Sequence, residues 1–92
     1  MNATQEKIIK TCNNFRDFLV EKNKRYGNSA LEPLGIFSKL DAKSSICIRL
    51  DDKMGRIKNS KKLRKNDISD AIGYLLLLCV DNNWTDFKEL LD

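Results

Sequence analysis

The ten residues from Ala71 to Val80, AIGYLLLLCV, are the longest apolar run in this chain, and they limit what it can fold into. The run is about half of the ~20 apolar residues that span a bilayer, so protein has to cover it. Asp67 and Asp70 stand just ahead of it, where the positive end of a helix dipole favours acids. The pattern predicts a helix with Asn66 as its N-cap, ended by Asp81-Asn82-Asn83. Beyond Asp70 that helix is apolar nearly all round. It is either the centre of the domain or a helix with one face against another subunit.

The rest of the chain follows helical periods. Ile8, Cys12, Phe15 and Leu19 recur at steps of three and four, with Ile9 and Phe18 widening the stripe. They predict an amphipathic helix from Thr4 to Lys24, capped by Asn2 or Thr4 and stopped by Tyr26-Gly27-Asn28-Ser29. A short helix is expected from Pro33 to Leu40, with the proline in its first turn. Ile46, Leu50, Met54 and Ile57 repeat as a helix over 45–58. The polar, basic stretch 59–65 is a hinge, and Thr85 caps a short terminal helix carrying Phe87, Leu90 and Leu91. Ninety-two residues form one domain, 1–92. The expected fold is all-α: a compact bundle of three long helices plus one or two short ones. Residues 74–80 are more apolar than so small a monomer readily buries, which predicts a homodimer or higher oligomer.

The chain has no histidine, which removes the usual general base, the commonest neutral metal ligand and every histidine-based triad. Any chemistry must rest on carboxylates, Lys, Arg, Tyr or Cys. Cys12, Cys47 and Cys79 form no CxxC pair. They are expected as reduced core thiols, which fits a cytoplasmic protein without a signal peptide. Nothing predicts a membrane partner.

Two groups of side chains are candidates for function. Asp67 and Asp70, three apart, share a helix face, and a short hinge brings Asp51 and Asp52 of the preceding helix toward the same end. Such hard oxygen donors suit Mg²⁺ together with phosphate oxygens. Capping for the first pair and a solvated surface for the second fully explain them from spacing alone, and are the commoner reading. Arg49, Lys53 and Arg56 share the second helix with these acids, either as salt-bridge partners or as phosphate ligands. Tyr26, Asn28 and Ser29, at the end of the first helix, form an ordinary glycine-asparagine stop or a nucleotide contact in which Tyr26 stacks on a base.

The segment Asn66-Asp67-Ile68-Ser69-Asp70-Ala71-Ile72-Gly73-Tyr74-Leu75 resembles the third-helix signature of the all-alpha NTP pyrophosphohydrolase (MazG-like) superfamily. There an ExxD pair precedes an apolar helix. Together with 21–29 and 49–57, it is similar to a phage and bacterial group called nucleotide modification associated domain 1, over about residues 15–80. The resemblance implies a nucleotide ligand, with Asp52, Asp67 and Asp70 holding Mg²⁺ and serving catalysis. It implies phosphate or nucleotide contacts from Tyr26, Asn28, Ser29, Arg49, Lys53 and Arg56. The chain departs from the superfamily at the second helix, where an ExxE pair is expected. Asp52 is followed at that spacing by Gly55, and Asp51 by Met54. One metal carboxylate is missing unless Glu21, Glu32 or Asp41 replaces it.

Three functions follow as expectations. One is a Mg²⁺-linked nucleoside triphosphate pyrophosphohydrolase. Another is a non-catalytic phage binder that sequesters a nucleotide signal of host defence. The third, ranked last, is nucleic-acid binding through the basic run 53–65, supported by a net charge of +4 and a pI near 9.1.

Overall fold

The computed structural model describes residues 1–33, 35 and 39–91. Three α-helices account for most of them: α1 (Ala3–Tyr26), α2 (Ala42–Asn59) and α3 (Lys65–Asp81). A single 3₁₀ turn follows at Lys88–Leu90. The described residues contain no strand. The expected short helix at 33–40 includes Leu34, Ile36, Phe37 and Ser38, which lie outside the described residues.

α1 is opened by a capping box. Asn2 Oδ1 accepts the Gln5 backbone N–H at 2.8 Å, and Gln5 Oε1 accepts that of Asn2 at 3.0 Å. It ends at Gly27, whose φ of 70° is a conformation that side chains with a Cβ rarely adopt. α2 starts three residues ahead of its expected beginning. Asp41 is its N-cap, accepting the Ser44 backbone N–H at 2.7 Å. Asp41 is thereby committed to a cap rather than supplying the missing metal carboxylate.

α3 begins at Lys65 with Arg64 at the cap position, so Asn66 lies inside the first turn and is not the N-cap. The extended Arg64 places its carbonyl to accept the Ile68 N–H at 3.2 Å. The helix therefore closes two residues early without a side-chain cap. At the other end, Asn82 closes α3 as expected. Thr85 caps no helix: the terminal element is only the 3₁₀ turn after Phe87, where Asp86 Oδ1 accepts the Lys88 N–H at 3.0 Å.

α2 and α3 run antiparallel and pack against each other. Ile46 is fully buried and Ala42 and Ala71 are nearly so. The small side chains Ala42 and Ala71 let α2 and α3 approach closely. α1 meets this pair through long side chains. Phe15 and Leu19 reach α3 at Gly73, where the space beside the glycine is bounded by Leu19 Cδ1 and Phe15 Cζ.

The cysteines are not core residues. Cys12 and Cys47 are exposed and Cys79 is half-buried. Cys12 sits on the half of α1 that lies beyond its contact with α3. The stripe read from the sequence is thus used only over its second half: Phe15 and Leu19 are half-buried, whereas Ile8 and Cys12 remain exposed.

Candidate functional site

Where α1 stands off from α3, a hollow of about 460 Å³ opens between them, a size in the range of small-molecule sites. Its floor is apolar: Phe15, Phe18 and Leu19 of α1 face Gly73, Tyr74 and Leu77 of α3. Phe15 and Phe18 meet edge to face, with centroids 5.7 Å apart. The turn after α1 closes one side and brings Tyr26, Asn28 and Ser29 to the rim. Asn23 fixes this turn. Its Nδ2 donates to Asn28 Oδ1 at 2.7 Å and to the Gly27 carbonyl at 3.3 Å. The Asn28 carbonyl then accepts the N–H groups of Leu31 and Glu32 at 2.9 and 2.8 Å.

Cations enter from two helices. Arg49 of α2 donates from Nη1 to the Tyr74 hydroxyl at 3.3 Å and lies 5.9 Å from the centre of that ring. A guanidinium held this way is set in position while most of its five donors stay available. Lys22 of α1 rests over the Phe18 ring at 5.3 Å. The acid of the hollow, Asp70, is held by two lysines. Lys53 Nζ lies 3.0 Å from Oδ2, and Lys22 Nζ lies 3.8 Å from Oδ1. Lys53 is only 16% exposed, so this pair is largely shielded from water and from salt. Two lysines on one carboxylate, with Arg49 at the neighbouring Tyr74, leave a local surplus of two positive charges.

The expected site residues divide between two places. Tyr26, Asn28, Ser29, Arg49 and Asp70 line the hollow, and Lys53 joins them through Asp70. Asp52 and Arg56 line a second, open depression with Asp51, Gly55 and the hinge residues Lys61, Lys62 and Arg64. Asp67 lines neither. It is 2% exposed, and no hydrogen bond or ion pair of its carboxylate is found among the described residues. No sealed side-chain oxygen or nitrogen among them is left without a partner, so Asp67 retains a narrow opening to solvent.

The expected acids Asp52, Asp67 and Asp70 are not brought together at one point among the described residues. Asp52 faces the depression rather than the hollow, Asp70 is engaged by two ammonium groups, and no three acids or cysteines among the described residues come together as a cage. Glu21 does not complete it, being paired with Arg25 at 3.0 Å.

Sequence reasoning missed Lys22, Asn23, Phe18 and Tyr74 as parts of the hollow. Lys22 reads as an outer-face charge, yet it follows Leu19 by three and Phe18 by four, which sets it at the border of the apolar stripe. Tyr74 follows Asp70 by four. Its hydroxyl marks it as the polar exception in the run 71–80, and a tyrosine within an apolar run needs a polar partner. No family model matches the chain, and no curated protein or solved structure does.

Proposed function

We propose that the chain binds a nucleotide in the hollow between α1 and α3 and retains it without hydrolysis. The observation that carries this reading is the state of Asp70: the acid within the hollow is neutralised by Lys53 and Lys22. It serves to hold two ammonium groups beside Arg49, and that array suits phosphate oxygens. The flat surfaces of Tyr26, Phe15 and Phe18 suit a base, whose π-face stacks on aromatic rings. Such a protein would sequester a nucleotide signal, as the phage-binder expectation holds. The reading includes self-association, supported by the apolar side chains that α3 leaves exposed.

A second reading, Mg²⁺-dependent pyrophosphohydrolysis, draws support from Asp67. It is 2% exposed, has no cation beside its carboxylate among the described residues, and is the kind of group that a cation could reach through its narrow opening. This reading requires Asp70 to leave its lysines and Asp52 to join from the neighbouring depression.

Calorimetry with nucleoside mono-, di- and triphosphates and cyclic nucleotides, in EDTA and in Mg²⁺, separates the two. Binding that persists in EDTA, weakens about tenfold or more in Arg49→Ala, and yields intact nucleotide supports the first. Pyrophosphate release that requires Mg²⁺ and Asp67 establishes the second. Absence of binding in every condition overturns both and brings nucleic acid at the hinge lysines forward.

A further inference from the structure

The surface of this chain is larger than a folded monomer of its mass should expose. It measures 7984 Å², against ~5,500 Å² expected for a compact protein of 10.6 kDa. The excess of ~2,500 Å² matches what one subunit gives up in an extensive obligate interface.

Part of that exposed surface is apolar and lies on two faces. On the first half of α1, Ile8 is 56% and Ile9 is 44% exposed. On the second half of α3 and just beyond it, Leu75, Val80 and Trp84 are each at least half exposed. The contacts Lys22–Asp70 and Phe15–Gly73 show that α1 runs antiparallel to α3, so both faces lie toward the same end of the molecule. Their charges are opposite. Lys7 and Lys10 outnumber Glu6 around Ile8 and Ile9, whereas Asp81, Asp86 and Glu89 outnumber Lys88 from the end of α3 onward.

We propose that these two faces are halves of one homodimer interface, in which the first half of α1 from each copy packs against the second half of α3 and the segment 81–89 of the other. Two-fold symmetry lets each copy use both faces once, and such a contact closes rather than propagating into a filament. Lys7 and Lys10 meet the acids of the partner's 81–89 segment at the rim, where they set the register. The proposal refines the self-association included above and does not depend on the nucleotide.

The test is sedimentation equilibrium of the full chain without nucleotide. The wild type is expected at twice its chain mass in the micromolar range. Ile8→Lys and Val80→Lys each replace an exposed side chain, so circular dichroism should remain helical while the dimer dissociation constant rises about 100-fold or more. Lys7→Glu with Lys10→Glu should weaken the dimer, and adding Asp86→Lys with Glu89→Lys should restore it, a gain that misfolding cannot produce. A wild type that stays monomeric at 100-fold higher concentration overturns the proposal. So does a dimer indifferent to these substitutions, or a charge reversal that its complement fails to rescue.

Discussion

Asp70 is the residue on which the two functional readings predict opposite results. Its carboxylate links α1 and α2 to α3 through Lys22 and Lys53. Asp70→Asn removes a negative charge from the hollow and frees both ammonium groups. If the hollow binds phosphate directly, affinity for a nucleotide should rise several-fold, because a competing anion has gone. If Asp70 instead holds a metal, affinity in Mg²⁺ should fall. Stability should drop in either case by about 1 kcal/mol, since the largely shielded Lys53 loses its counter-ion. Calorimetry paired with urea unfolding reads both quantities from one preparation.

Lys22 shows why individual roles are hard to read from one sequence. Its spacing places it beside the stripe but does not say whether the next helix lies close enough to meet it. That depends on α1 standing away from α3, a distance fixed by the reach of Phe15 and Leu19 onto Gly73. Asp67 and Asp70 make the same point. Their shared face was legible from a three-residue spacing, but Lys53 was needed to commit Asp70, and that pairing depends on the register of α2 against α3. Asp52, one residue before Lys53, points to another depression because neighbours on a helix differ in direction by about 100°.

Helices are the scale at which the sequence was most legible. Apolar periods located α1, α2 and α3, and Gly27 and Asn82 ended two of them as expected. Helix starts were harder to read. Asp41 reached past Lys43 to cap α2 earlier, and Arg64 started α3 with its backbone alone. Periodicity also says which side chains share a face but not how much of that face finds a partner, so Ile8 and Cys12 read as core and are exposed.

The Asp41 cap has a pH signature. Hydrogen bonds from the Ser44 backbone and side chain hold its carboxyl below the usual aspartate range, against an opposing effect of desolvation and with a lesser contribution from the charge of Lys43. A group whose folded-state pKa is depressed stabilises the fold above its unfolded pKa and loses that contribution as pH falls through the folded value. Asp41→Ala should therefore lower the melting midpoint at neutral pH. The gap from wild type should begin to narrow below about pH 4 and close as the pH falls through the lowered folded value. Thermal melts from pH 7 downward measure this, and a constant gap would mean that the carboxylate is not the capping group.

Gly73 gives the complementary test of helix packing. A Cβ there would lie 3.6 Å from Leu19 Cδ1 and 3.9 Å from Phe15 Cζ, both ordinary contact distances. Alanine is also favoured over glycine within a helix by about 1 kcal/mol. Gly73→Ala should accordingly stabilise the protein by ~0.5–1 kcal/mol in urea unfolding. Destabilisation would mean that α1 sits closer to α3 than these distances allow.

At the scale of the whole molecule, stability and association become one quantity. The Cα radius of gyration is 15.2 Å and the principal extents are 50 × 35 × 31 Å, whereas a compact chain of this length has a radius near 12 Å. The fully or nearly buried apolar side chains among the described residues are Ile46, Ala42 and Ala71, and two of them are alanines that contribute little transfer free energy. A core of that size leaves a monomer little reserve against the conformational entropy of ~90 ordered residues. If a second copy covers the exposed faces of α1 and α3, unfolding includes dissociation, and the melting temperature must depend on protein concentration. Each tenfold dilution removes about 1.4 kcal/mol per mole of dimer. Divided by the unfolding entropy of two chains, that is a fall of ~3–4 °C. Melts followed by circular dichroism over a 100-fold concentration range should therefore shift by ~7 °C. A midpoint independent of concentration would show that unfolding and dissociation are not coupled, and that the packing of α2, α3 and the second half of α1 sustains the fold by itself.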